Sequence, residues 1–170
     1  MIASEPDLPR GRTEPWDVVV IGAGPAGATA ALHLAGRGRD VLLVDRHAFP
    51  RDKACGDGLI PDALRCLGRA GLERRVRRAG YEMREAAAFG PSRDEVRIRT
   101  DFVGLKRLDL DALIVREAVQ RGATLHRDRI TGVAVAPTGG VVLAEARDGD
   151  APIRARYALV ATGADASLLR

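Results

Sequence analysis

VVVIGAGPAGATAALHLA, residues Val18 to Ala35, decides how this chain is read. Asp17 to Ile21 is a short, almost wholly apolar run, which suits a parallel strand buried on both faces. GAGPAG follows, then an Ala- and Leu-rich stretch of good helix propensity that Gly36 and Gly38 can stop. Asp40 to Asp45 (DVLLVD) reads as a second buried strand. Strand, glycine turn, helix and strand in this order give a GxGxxG motif its meaning. Gly22 permits the tight turn, Gly24 lets the backbone approach a pyrophosphate, and Gly27 lets helix and strand pack closely. Pro25 suits the first helical turn, where no N–H bond is lost. The helix N-terminus at Ala26 and Gly27 then offers N–H groups and partial positive charge to phosphates. Asp45 follows the first glycine at close to the spacing of about 20 residues expected of a ribose-binding acid. Such a carboxylate accepts hydrogen bonds from both ribose hydroxyls and repels a 2′-phosphate, so NADP is not expected at this site.

The bulk properties set the frame. The 170 residues suffice for one domain with a real core. With 46% hydrophobic, 29% charged and only 4% aromatic residues, that core must rest on Ala, Val, Leu and Ile. No stretch reaches the roughly 18 apolar residues of a membrane span. Residues 1–15 lack an apolar signal region and are expected to form a disordered leader. The cytoplasm is the default location, with peripheral membrane contact left open. The net charge is +4, carried mostly by arginine. Arg69, Arg74, Arg75, Arg77, Arg78 and Arg84 cluster without interleaved aromatics, which favours a solvated helix face over a nucleic-acid patch. Cys55 and Cys66 are too few for a disulfide framework and are not spaced as a redox pair or zinc site. Cys66 falls in a helical pattern with Leu59, Ala63 and Leu67 and is expected in the core. His33, His47 and His126 are isolated, and no metal is expected.

Along the rest of the chain, His47 to Gly58 is a loop and Pro61 to Ala70 a helix, with more helix expected to about Arg84. Ala86–Phe89 and Glu95–Phe102 read as a hairpin, the second strand placing Val96, Ile98, Thr100 and Phe102 on one side. Asp109 is a plausible N-cap for a helix with Leu110, Leu113, Ile114 and Ala118 on one face, ended by Gly122. Ala123–His126 is a short strand. Ile130–Ala136, Val141–Arg147 and Ile153–Tyr157 read as a meander whose turns are TGG and DGD. Ala158–Thr162 looks like a separate strand returning to the parallel sheet. The expected fold is therefore α/β and Rossmann-like, with a parallel sheet, a helix layer and a β-meander. A single FAD-binding domain would span 16–170, with a partial substrate-domain hairpin at about 82–104.

The βαβ unit alone does not separate FAD from NAD. Four features favour FAD: the motif's N-terminal position, Arg46 directly after Asp45, the loop FPRDKACGDGL, and the closing segment RARYALVATGADASLLR. VVVIGAGPAGATAALHLA, LLVDR and FPRDKACGDGL together resemble the N-terminal part of the geranylgeranyl reductase family of FAD-dependent oxidoreductases, related to aromatic hydroxylases and flavin-dependent halogenases. The resemblance runs over almost the whole chain after Trp16. It implies that Cys55, Gly56, Asp57 and Gly58 lie against the flavin and that Arg107, leading the segment RLDLDALIVREAVQRGA, touches the cofactor. Ile130 and Gly163 join the expected cofactor contacts. Cys55 is the candidate catalytic group, tuning the flavin or protonating a substrate carbon, with Lys53 and Arg51 expected to lower its pKa. The alternative for Cys55 is a small residue that merely lets the loop pack.

The closing segment departs from the family pattern. Gly163, Ser167 and Arg170 fit it, but Thr162 stands where relatives often carry Asp. Relatives also run to about twice this length, so a truncated chain holding FAD weakly is expected. The resemblance implies reduction of isoprenoid double bonds in a small-molecule or lipid substrate, with NADPH or another donor reducing the flavin. A flavin monooxygenase or halogenase, or a non-catalytic nucleotide-binding fragment, stands as the alternative. Nothing in the sequence sets the oligomeric state.

Overall fold

The structure, a computed structural model, describes residues 14–137, 142–146, 152–165 and 168. The expected leader up to residue 13, the TGG and DGD turns, Ser167 and Arg170 lie outside the described residues. In chain order the elements are β1 (Trp16–Ile21), α1 (Pro25–Ala35), β2 (Val41–Asp45), β3 (Gly58–Leu59), α2 (Pro61–Arg69), α3 (Glu73–Ala79), β4 (Tyr81–Phe89), β5 (Glu95–Gly104), α4 (Arg107–Gln120), β6 (Thr124–Arg127), β7 (Ile130–Val135), β8 (Val142–Ala146) and β9 (Ile153–Val160). They fall into a larger unit, Met1–Arg51 with Asp111–Arg170, and a smaller one, Asp52–Leu110.

The larger unit is α/β, built on a six-stranded sheet of order β6-β2-β1-β9-β8-β7. The first four strands run parallel, with Val18 opposite Val41, Leu42 opposite Thr124 and Ile21 opposite Val160. The last three strands pair antiparallel. The two strands read at Ile153–Tyr157 and Ala158–Thr162 are one strand. β9 pairs with β8 through Ile153–Ala155 and with β1 from Ala155 to Val160, so the meander continues the parallel sheet edge to edge. Val19, Val20, Leu42, Leu43 and Val44 are fully buried, as apolar strands covered on both faces should be. α1 lays Gly27, Ala28, Ala31, Leu32 and Ala35 into the interior. These small side chains allow the close helix–sheet approach that the glycine motif requires. β9 does not repeat the pattern: Tyr157 and Leu159 are exposed.

The smaller unit holds the antiparallel sheet β3-β5-β4 with α2 and α3. It begins at Asp52, well ahead of the hairpin expected at 82–104, and takes in both helices. Tyr81–Arg84, expected as helix, is the first part of β4. Gly80 ends α3 in extended backbone and hands the chain straight to that strand. α2 buries Leu64 and Leu67, which turns Cys66 outward, so it is exposed rather than a core residue. The apolar side read on β5 is not a core face throughout: Val96 and Ile98 are exposed. Asp109 is not an N-cap. α4 starts two residues earlier, and Asp109 and Leu110 donate their amides to the Lys106 carbonyl.

Part of the arginine cluster is neutralised locally. The Arg77 guanidinium forms a two-pronged pair with Asp101, at 2.8 and 2.6 Å, and meets Glu73 at 3.0 Å. The hydrogen bonds from Arg77 hold the Asp101 carboxyl below its ordinary pKa. No helix among the described residues is long and apolar enough to cross a membrane.

Candidate functional site

The glycine turn connects β1 to α1 in the larger unit. Gly22 has φ +104°, a left-handed conformation that L side chains rarely adopt, and its amide donates to the Val44 carbonyl at 2.7 Å. A Cβ on Gly22 would stand 2.5 Å from the Ala161 carbonyl oxygen, and one on Gly27 would stand 1.8 Å from the Gly22 carbonyl oxygen. Both obstacles are main chain, so neither side chain can be accommodated by a rotamer change. Gly24 is the N-cap of α1 and Pro25 its first residue, with no side chain capping the end. The first-turn amides beyond Pro25, those of Ala26 and Gly27, have no helical carbonyl to bond. Free amides at a helix N-terminus are of the kind that suits an anion.

Asp45 closes β2 and is one of two charged residues buried among the described residues. Its Oδ2 accepts the Ala23 amide at 2.8 Å, inside the glycine turn itself. Its Oδ1 accepts the His47 amide at 3.0 Å and lies 3.2 Å from His47 Nδ1. An ionised carboxylate offers about four acceptor positions, and after these contacts at least one remains, on Oδ2, for a ribose hydroxyl. Amide donors for phosphate beside a fixed carboxylate for ribose match the chemistry of the ADP half of a dinucleotide. Arg46 is directed elsewhere, to a 3.0 Å ion pair with Asp165, while Thr162 Oγ1 donates to the Asp165 carbonyl. Gly163 has φ +70° at the turn after β9. Ile130, at the start of β7, belongs to the buried core cluster with Trp16, Val19 and Leu42.

In the smaller unit, Cys55 is exposed and Gly56 stands in open space. The Asp57 backbone, and after it the Arg107 side chain, hydrogen-bond the Cys55 thiol and hold its pKa below the ordinary value. Those are the responsible groups, in place of the expected Lys53 and Arg51. Asp57 links the loop to α4. Its Oδ1 accepts the Arg107 amide at 3.1 Å and its carbonyl accepts the Leu105 amide at 2.8 Å. It therefore caps α4 from a distant loop, at φ +54°, a conformation that Asp tolerates better than most residues.

Sequence reasoning did not single out the roles of Asp57, His47, Arg51 and Asp111. An Asp–Gly pair signalled the left-handed turn at Asp57, but nothing in the sequence signalled its bond to Arg107. Arg51 NH1 stands 3.3 Å from the wholly buried Asp111 carboxylate, a pairing that spacing along the chain cannot announce.

A family model described as "FAD binding domain" matches residues 15–168. The chain belongs to that FAD binding domain family. Among curated relatives it is similar to a menaquinone reductase of Mycolicibacterium smegmatis (strain ATCC 700084 / mc(2)155), 56% identical over 71 residues that cover 39% of this chain and 17% of that protein. It is also similar to digeranylgeranylglycerophospholipid reductase 2 of Methanopyrus kandleri, 33% identical over 158 residues, covering 91% of this chain and 39% of that protein. Among solved structures, the myxobacterial chondrochloren halogenase CndH superposes with a TM-score of 0.76 at 26% identity, covering 89% of this chain and 38% of that one. The chain thus spans less than half the length of these relatives. The resemblance to geranylgeranyl reductases and their halogenase kin is shared by these matches, and FAD is the cofactor of the family.

Proposed function

We propose that the chain is the FAD-binding portion of an oxidoreductase that reduces isoprenoid double bonds, in a lipid or a quinone side chain. The observation that carries this reading is the Asp45 carboxylate fixed against the Ala23 amide of the glycine turn, in a chain whose relatives include a reductase of geranylgeranyl lipids along 158 residues. In the larger unit, Gly22, Gly24, Gly27 and the α1 amides receive the pyrophosphate, and Asp45 receives the adenosine ribose. Arg46 pairs with Asp165 through NH1 and keeps further N–H donors that a phosphate could take. In the smaller unit, Cys55, Gly56 and Arg107 are flavin contacts by resemblance, and the Cys55 thiol, with its lowered pKa, gives up its proton more readily than a free cysteine. FAD, when bound, supplies the hydride chemistry, with NADPH or another donor as the source of electrons. Peripheral contact with a membrane would bring the lipid substrate. Nucleic acid is not part of this reading.

The first test is an FAD titration of the purified chain, followed by flavin fluorescence. Saturable binding is expected, weakened about 10- to 100-fold in Asp45→Ala, because a hydrogen bond to a charged group contributes about 1.5–3 kcal/mol. Equal affinity in both proteins rejects the site. The reaction is then tested by incubating the FAD-loaded, chemically reduced protein with a geranylgeranyl lipid or menaquinone and reading mass gain of the product. The similarity to CndH supports a second reading, halogenation on the same scaffold. A halide-dependent product with no saturated double bond would favour it.

A further inference from the structure

Asp45 and Asp111 are the two charged residues buried among the described residues, and one guanidinium serves both. Arg51 NH1 lies 3.3 Å from Asp111 Oδ2, and Arg51 NH2 lies 3.9 Å from Asp45 Oδ2. The guanidinium carbon sits over the Phe49 ring, 5.1 Å from its centroid. Arg51 is itself largely covered, its side chain 12% exposed, and its Nε has no hydrogen-bond partner among the described residues.

As a stabilising device this arrangement is poor. Two buried carboxylates, a largely covered cation and an unsatisfied N–H commonly do no better than apolar residues of the same volume. As a device for orienting one carboxylate it is well formed. Asp111 anchors one prong, Phe49 lies beside the group, and the other prong faces the Asp45 oxygen that also takes the Ala23 amide.

We infer that Arg51 is a positioning residue that sets the orientation of Asp45 for the ribose hydroxyls of an adenine dinucleotide. The inference rests on the ribose role proposed for Asp45. Arg51 does not touch the ribose itself. It acts through Asp45, so its effect must appear in how well the protein distinguishes a ribose from a deoxyribose.

The experiment is calorimetric titration of the whole chain with ADP and with 2′-deoxy-ADP, in wild type, Asp45→Ala and Arg51→Gln. Wild type is expected to prefer ADP by about tenfold, the equivalent of one charged hydrogen bond. Asp45→Ala is expected to abolish the preference, and Arg51→Gln to reduce it to about twofold or less. A purely structural Arg51 would weaken both ligands in parallel and leave the ratio unchanged, which overturns the inference while Asp45 keeps its role. Absence of preference in wild type, or its survival in Asp45→Ala, overturns the ribose reading and the inference with it. Should Arg51→Gln lose the wild-type circular dichroism spectrum and melt, Arg51→Lys decides. A single ammonium cannot span two carboxylates as a planar fork does, so the preference must at least halve, and an unchanged ratio overturns the inference.

Discussion

The glycine turn of the larger unit and the CGDG loop of the smaller unit are both short, glycine-bearing and proposed to meet a cofactor, yet they are held in different ways. The glycine turn is built of main chain packed on main chain. The Gly22 amide donates to Val44, the Ala161 amide donates to Ile21, and the Gly22 carbonyl occupies the space a side chain on Gly27 would need. The CGDG loop stands in open space at Gly56 and is tied to its surroundings by scattered contacts: the Asp57 carboxylate to the Arg107 amide, the Asp57 carbonyl to the Leu105 amide, and Gly58 paired with Gly104. A turn of the first kind tolerates almost no substitution, because no rotamer relieves a clash with backbone. A loop of the second kind can change in smaller steps, because part of its anchorage is one carboxylate that can be removed without a clash.

The sharpest way to break this comparison is Gly27→Ala. One methyl group against the Gly22 carbonyl is expected to cost about 3 kcal/mol or more, read as a fall in the urea midpoint, together with loss of ADP binding. A change below about 1 kcal/mol would show that the turn can yield and that the contrast is false. The CGDG loop should respond less. Asp57→Ala loses the bond to the Arg107 amide and puts a less tolerant residue at φ +54°, for a combined cost of about 2 kcal/mol. Asp57→Gly loses only the bond, about 1 kcal/mol. Equal stability of the two variants would remove the backbone part of the argument, and wild-type stability of both would remove the cap.

The smallest effect concerns Cys55. Its pKa is lowered, so its thiolate fraction below the ordinary cysteine pKa exceeds that of a free thiol, and its alkylation should rise at lower pH. Iodoacetamide labelling against pH, in a Cys66→Ser background, is expected to give a curve displaced downward from that of free cysteine. Arg107→Met should return it part of the way, because the Asp57 backbone bond remains. A curve superposing on free cysteine would mean that the loop does not hold the thiol at all.

What could be read in the sequence follows the range of the forces involved. β1, α1, β2 and the glycine turn were legible because apolar periodicity, glycine spacing and an acid at the strand end are local signals, each with a local physical cause. The same reasoning misplaced Cys66, because the helical pattern did not say which face of α2 would be covered. It also divided β9 in two. The break in composition near Tyr157 is real, but a strand paired on both edges crosses it without interruption. Arginines suit helices as well as strand edges, so the run up to Arg84 does not distinguish the two, and only the pairing of β4 with β5 decides.

The sequence by itself determined the α/β class, the dinucleotide turn, and the identity of Asp45 as the acid at the end of β2. These rest on residues within one βαβ unit, where neighbours along the chain are also neighbours in space. Only the tertiary structure decided which groups hold those residues in place: Ala23 and Arg51 against Asp45, Asp111 behind Arg51, and Asp57 as the cap of a helix that begins 50 residues later. Hydrogen bonds and ion pairs require only that two groups come within about 3–4 Å, and that proximity is a property of the folded chain, set by how the apolar elements pack.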